Sequence, residues 1–535
     1  MRERAHGTAN LCIRRAVLLF DPLALPSQPA TRLLMSTALA ELKARLGRIE
    51  DIKAASNVLS WDQETYMPPG GAKARAHQLS TLQTMAHEKF VADETGTLLD
   101  RAEADLNGAD PLGDDASLIR VTRRDYERDR KLPSQLVAEL SKTVSEAKEA
   151  WKTARANDDF GRFAPLLRRI VNLNLQKADA LGYESEPYDA LLDECEPGMK
   201  TATVADTFER LCEDLVPIVD AMAASPSLDN EVLHRTFPIE KQKQFAHAVI
   251  RDLGYDFDRG REDVSAHPFT TSFSTGDVRL TTRYNESYFP AAFFSTLHEA
   301  GHGLYEQGID DALDRTPLAE GTSLGMHESQ SRLYENLVGR SRAFWSHYFP
   351  PLKEAFPDAL GNTDLDTFYR AINRVEPSLI RVEADEVTYN LHIMLRFELE
   401  RGLINQDIDV DVLPELWREK MEDYLGVVPD TDADGVLQDV HWSLGAIGYF
   451  PTYALGNLMS VQLMEQIRED HPDLDDDLAT GRFGPLLDWL RAHVHQHGRK
   501  ITAPDLLQRI TGDELSAEPW LTYVRSKFGS VYDLR

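Results

Sequence analysis

Cysteine, positive charge and long apolar runs are all scarce in this chain, and each scarcity excludes something. Only Cys12, Cys195 and Cys212 occur in 535 residues, too few and too irregularly spaced for a disulfide framework or a cysteine-built metal site. A bridge between 195 and 212 stays geometrically open, but free thiols in a reducing, cytoplasmic setting are the expectation. No apolar stretch reaches the roughly 20 residues that a membrane-crossing helix needs, which removes the membrane as a partner. Lysine and arginine number 58 against 88 aspartates and glutamates, a formal charge of −30. Such a surface repels nucleic acid and anionic lipid, and it says nothing of substrate.

Linkers are missing as well. No low-complexity stretch breaks the chain after its first residues, so the expectation is one large domain over 35–535, divided into a helical part, 35–260, and a functional part, 261–535. Residues 1–34 differ from the rest: Arg2, Arg4, Arg14, Arg15 and Arg32 face only Glu3 and Asp21, around a short apolar run from Ala16 to Phe20. They read as a disordered extension left by an over-long start, with a targeting peptide as the alternative.

What the chain does have is centred on Phe293 to Gly308, FFSTLHEAGHGLYEQG. Apolar residues lead into it and a glycine closes it, which predicts a helix of about four turns. His298 and His302 are four apart, so both imidazoles leave one face and can reach a single ion. Glu299, one step round the helix, stands where it can take a proton from water at an open coordination position. A catalytic site of this type needs a third protein ligand. Glu328, in the helical pattern SLGMHESQSRLYENL, supplies one. The pattern that would give a third histidine needs glycine and histidine three and six residues past His302; Tyr305 and Gly308 stand there instead. Two imidazoles and a carboxylate suit zinc first, with cobalt or manganese as alternatives.

Other stretches are read by pattern. From Thr37 to about Ala223 apolar residues recur at helical spacing, broken by Pro68-Pro69-Gly70-Gly71, Leu132-Pro133 and Glu196-Pro197-Gly198. The basic run from Arg120 to Arg130 is interleaved with acids and predicts a solvated helix face. Ser265 to Tyr284 alternates in polarity around Ser274-Thr275-Gly276-Asp277, a short hairpin whose edge can pair with an extended peptide. In it Arg279 is either a substrate contact or an internal partner of Asp277. Ser378 to Leu399 predicts an amphipathic helix, with Arg381 either a carboxylate anchor or tied to Glu383 or Asp385. DTDADG, Asp430 to Gly435, imitates half a calcium loop but puts His441 where a glutamate is required. His493, His495 and His497 have the wrong spacing for a metal cluster and read as a surface helix end.

These residues also carry a family resemblance. HEAGH, His327-Glu328-Ser329-Gln330, His267-Pro268-Phe269, Asp277-Val278-Arg279-Leu280-Thr281, Ile380-Arg381 through Ala384-Asp385, and Gly435 through Gln438-Asp439 to His441-Trp442 stand in the order of the M32 metallocarboxypeptidases. SWDQETYMPPGG, YDALLDECEPGM and GYFPTYALGN resemble the same family, so the likeness runs from about residue 36 to the end. It implies a mostly α-helical metallopeptidase with a deep cleft and a small β-ribbon beside the metal helix, acting as a homodimer. The implied reaction removes single C-terminal residues from peptides with a free C-terminus, with broad specificity. An endo-acting oligopeptidase or a dipeptidyl carboxypeptidase on the same scaffold is the alternative. The resemblance also gives Arg381, then Arg279, as binders of the substrate carboxylate, and places His267 among the substrate contacts. By the same likeness His441 and Tyr449, with Tyr453 as its neighbour, stabilise the oxyanion, and Asp439 orients a metal ligand.

Overall fold

The turn residues of the N-terminal half divide it into long helices in a computed structural model that describes residues 37–106, 108 and 110–534. The expectation for residues 1–34 lies outside the described residues. Helix α1, Thr37–Thr65, ends before the Pro-Pro-Gly-Gly turn, and Ala72–Val91 follows. Pro133, with extended backbone, separates Asp114–Lys131 from Ser134–Asn157. Asp159 caps Phe160–Leu181 by accepting from the Arg162 amide, satisfying one of the orphan donors of its first turn.

The sheet is larger than the hairpin read from the sequence. Strands β2, Thr270–Ser274, and β3, Asp277–Thr282, pair antiparallel as expected, but β1, Gly260–Val264, adds parallel to the other side of β3, giving the order β1-β3-β2. The third strand escaped because GREDV lacks alternating apolar residues: its buried side chains are Glu262 and Asp263. Their charges are met locally. Glu262 accepts from Tyr284 and Thr296, and Asp263 from Arg261. Strand β2 is left at the edge, beside α1 and the metal helix.

That helix, α2, is Phe289–Gly308, one turn longer than predicted because Pro290 is tolerated in its first turn. Most of its residues are buried, so it is a core helix rather than an amphipathic one. Gly308 does not end it through a left-handed conformation. It is small because His495 lies against it; a Cβ there would sit 2.5 Å from that ring's Nδ1. This corrects the reading of the C-terminal histidines: His495 is fully buried, its Nε2 donating to Oε1 of Gln330 at 2.9 Å and its ring stacking on Tyr305.

Helix α3, Leu324–Arg332, follows with Ser323 capping it, then opens into a π turn, Leu333–Val338. The helix expected from Ser378 begins only at Tyr389; α4 is Tyr389–Ile404. Arg381–Glu383 is instead a single 3₁₀ turn, and Asp385 accepts from the amides of Val387 and Thr388, holding a turn in place of a helix. Helix α5, Pro451–Asp470, packs along α3. Buried apolar residues from Leu39 to Tyr532 form one connected core around these elements.

Candidate metal centre

Two glycines bring the carboxylate to the imidazoles. A Cβ at Gly301 of α2 would meet the Gln330 carbonyl oxygen at 2.6 Å, and one at Gly456 of α5 would meet Cβ of Glu328 at 2.7 Å. Without side chains there, α3 settles between α2 and α5 with Glu328 pointing at the histidines. The N-terminus of α3 is fixed by the buried carboxylate of Glu196, which accepts from the Gly325 amide.

One ligand atom from each of His298, His302 and Glu328 lies within 4.8 Å of the others, the one such group among the described residues. Oε2 of Glu328 is 3.6 Å from Nε2 of His298 and 3.4 Å from Nε2 of His302. Two imidazole nitrogens and a carboxylate oxygen converging in this way fit a divalent ion. The far nitrogens are also engaged, as ligand histidines require. Nδ1 of His298 is 2.9 Å from Glu335, which the π turn presents, and Nδ1 of His302 is 2.5 Å from Nδ1 of His327.

The electrostatics ready two of these groups for a cation; at the third, His298, burial would lower the pKa, but Glu328 and Glu335 outweigh it and raise it. Burial pushes His302 down to about 3, leaving its ring neutral. Burial would raise the Glu328 carboxyl, but Arg332 and the two histidines outweigh it and hold it well below the usual range. Nε of Arg332 donates to Glu328 at 2.7 Å, and Ser331 donates to its other oxygen at 3.1 Å. Glu299 is pushed the other way: burial raises its pKa against the opposing effects of His298 and Thr270. Thr270, on β2, was not singled out in the sequence. A lone threonine in an alternating strand carries no signal of its own.

Arg381 is buried and bonded to Asp439 through Nε at 3.1 Å and Nη2 at 2.7 Å, and through Nη1 to the Tyr389 hydroxyl at 2.8 Å. Its partner is therefore neither Glu383 nor Asp385. Asp439 also accepts from the fully buried Arg396 at 2.7 Å, so it serves this cation cluster and not a metal ligand. Nε2 of His441 lies 3.2 Å from the Tyr453 hydroxyl, and burial lowers the ring to about 4. Tyr449 packs 5.5 Å from His441, its pKa pushed up to about 12 by burial and then by the charge of Glu328. Arg279 is paired to Asp277 through two 2.8 Å bonds and lies between the rings of Trp61 and Phe273. His267 is exposed on the loop before β2. Cys195 and Cys212 are not bridged.

Residues 41–528 match the family described as carboxypeptidase Taq (M32) metallopeptidase. The chain is 44% identical over 483 residues to thermostable carboxypeptidase 1 of Thermus thermophilus, covering 88% of this chain and 94% of the relative. It is 40% identical over 489 residues to carboxypeptidase 1 of Bacillus subtilis, with 91% and 97% covered. Among solved structures, the M32 carboxypeptidase of Deinococcus radiodurans superposes with a TM-score of 0.91 at 42% identity, over 93% of this chain and 100% of that one.

Proposed function

Because this chain belongs to the M32 family of metallocarboxypeptidases, and so hydrolyses peptides from the C-terminus with a divalent metal, we propose how its own residues divide that work. His298, His302 and Glu328 hold the ion, with zinc the first choice over cobalt or manganese. A divalent cation there polarises the scissile carbonyl and lowers the pKa of the attacking water. Glu299 takes the proton of that water and returns it to the leaving amine. Tyr449 and the neutral ring of His441 donate to the developing oxyanion.

The observation that supports exopeptidase selectivity is the charge balance of the Arg381 cluster. Among the described residues, Arg381 and Arg396 share one ion-paired carboxylate, Asp439, so two guanidiniums are paired with a single acid. Arg279 is neutralised one to one by Asp277 and ranks behind it. Arg381 is thus the proposed anchor for the substrate's terminal carboxylate, with His267 and the edge of β2 along the peptide backbone. Release of single residues with broad specificity follows from an anchor that reads the terminus and not the side chain. The free thiols Cys195 and Cys212 support a cytoplasmic protein, and the connected core supports one domain over 35–535. A homodimer completes the reading by analogy with the family.

The test is product sequencing on a peptide with a free C-terminus and on its amidated form, with metal analysis of the enzyme. Stepwise release from the free peptide alone is expected. Internal cuts, with the amide hydrolysed equally well, would favour the oligopeptidase alternative, and release of dipeptides from the free peptide would favour the dipeptidyl one.

A further inference from the structure

A cation held between Nε2 of His302 and Oε2 of Glu328, which lie 3.4 Å apart, takes the Nε2 lone pair, so with His302 as a ligand the ring proton belongs on Nδ1. That nitrogen lies 2.5 Å from Nδ1 of His327, which therefore accepts. His327 must then carry its own proton on Nε2, 2.7 Å from Oε1 of Glu306, which accepts in turn. One protonation pattern satisfies all three groups. Glu306 follows His302 by four residues on α2, so both side chains leave the same face, and His327 from α3 bridges the turn between them.

The bridge is held on every side. A Cβ at Gly321 would lie 2.5 Å from Cδ2 of His327, so only glycine leaves room for the ring. Tyr305 packs against it at 5.2 Å, and Glu306 is buried. The second ligand is supported differently. His298 donates directly to Glu335, whose charge is shared with Arg332 and Arg340. Among the described residues, no lysine or arginine pairs with Glu306, so its negative charge acts through His327 alone.

We infer that His327 and Glu306 are positioning residues for His302. Together they fix its tautomer and ring orientation and raise its basicity toward the metal, so that Glu306 acts on the ion through two imidazoles. The inference rests on the reading of His298, His302 and Glu328 as the ligands.

The experiment measures zinc affinity of the full-length protein by competition with a chromophoric chelator, alongside the thermal midpoint of the metal-free forms. His327→Leu is expected to weaken zinc about 10- to 100-fold, as loss of an outer partner of a ligand histidine typically does. Glu306→Gln keeps an acceptor but not the charge, and is expected to weaken zinc about tenfold with an unchanged metal-free midpoint. His327→Asn, which can accept from His302 and donate to Glu306, should restore most of the affinity lost in His327→Leu. The double variant should be no weaker than His327→Leu alone, because the carboxylate acts only through the ring. Wild-type affinity in Glu306→Gln and His327→Leu, additive losses in the double variant, or no rescue by asparagine would overturn the relay. Should His327→Leu fail to fold, Glu306→Gln decides the matter. Glu328→Gln separates the premise: if it binds zinc like wild type, the ligand assignment fails; if it loses zinc while the relay variants keep it, only the relay fails.

Discussion

The hydroxyl of Thr270 lies 2.7 Å from Oε2 of Glu299 and 2.9 Å from the carbonyl oxygen of the same residue. An edge strand of the small sheet thus fixes the carboxylate proposed to carry the proton. A hydrogen bond to a charged group is worth about 1.5–3 kcal/mol, so Thr270→Val should lower kcat roughly 10- to 100-fold. Thr270→Ser should keep most of the rate, and both should retain metal. Steady-state kinetics with metal analysis checks this, and an unaffected kcat in the valine variant would remove Thr270 from the mechanism.

Glu299 and Glu328 should fail in opposite ways. Glu299→Gln is expected to keep its metal and lose activity by about 10²- to 10⁴-fold, the usual contribution of a positioned acid-base group. Glu328→Gln should lose the metal itself. Metal content per chain and turnover, measured on the same preparations, separate the two. Wild-type turnover in Glu299→Gln would end the proton-transfer assignment.

Gly456→Ala should damage the centre without touching a ligand. Its methyl group would fall 2.7 Å from Cβ of Glu328, so α3 or the carboxylate must move. Overpacking of this kind costs about 1–3 kcal/mol, and the displaced carboxylate should weaken the metal. Chemical denaturation and chelator competition report the two effects.

Arg381→Lys should lose the preference for a free C-terminus, because an ammonium cannot reproduce a guanidinium's fork toward Asp439 and the substrate. The kcat/KM ratio between free and amidated peptides is the measurement. Arg279→Lys should leave that ratio near wild type, and the reverse result would exchange their roles.

Glu400 should make stability fall as pH rises. It is fully buried and accepts from the Tyr188 hydroxyl at 2.8 Å, the Trp442 indole at 2.9 Å and the Gly448 amide at 3.0 Å. Burial nonetheless pushes its pKa up to about 7, against these donors and Arg396. The unfolded chain releases this proton near the ordinary glutamate value, about 4.3, while the native chain holds it until about 7. The native state therefore binds more protons in that window. The contribution is full below pH 4 and lost as pH rises through 7, by about 4 kcal/mol at most. Glu400→Gln should flatten that part of the profile in urea unfolding at several pH values. An unchanged profile would mean that Glu400 stays ionised when folded.

Sequence spacing went far here. Two histidines four apart share a helix face, with the adjacent glutamate one step round it, because helical geometry is local, and Glu328 was legible as their candidate partner because its own segment is patterned as a helix. The mostly helical class followed from the same periodicity, and the family from the order of six short motifs. What the pattern could not carry were features in which unlike segments meet. Strand β1 buries two carboxylates, so it has no apolar alternation to read. The 3₁₀ turn at Arg381 depends on Asp385 capturing amides ahead of a helix. The burial of His495 depends on a glycine nearly two hundred residues earlier.

By itself, then, the sequence pointed to the groups proposed to bind a metal and move a proton, since residue type and short-range spacing set that chemistry. Only the tertiary structure decided which groups stand behind them: Thr270 behind Glu299, Asp439 behind Arg381, and His327 with Glu306 behind His302. Hydrogen bonds between distant segments act over about 3 Å, and only the packed chain brings their partners that close.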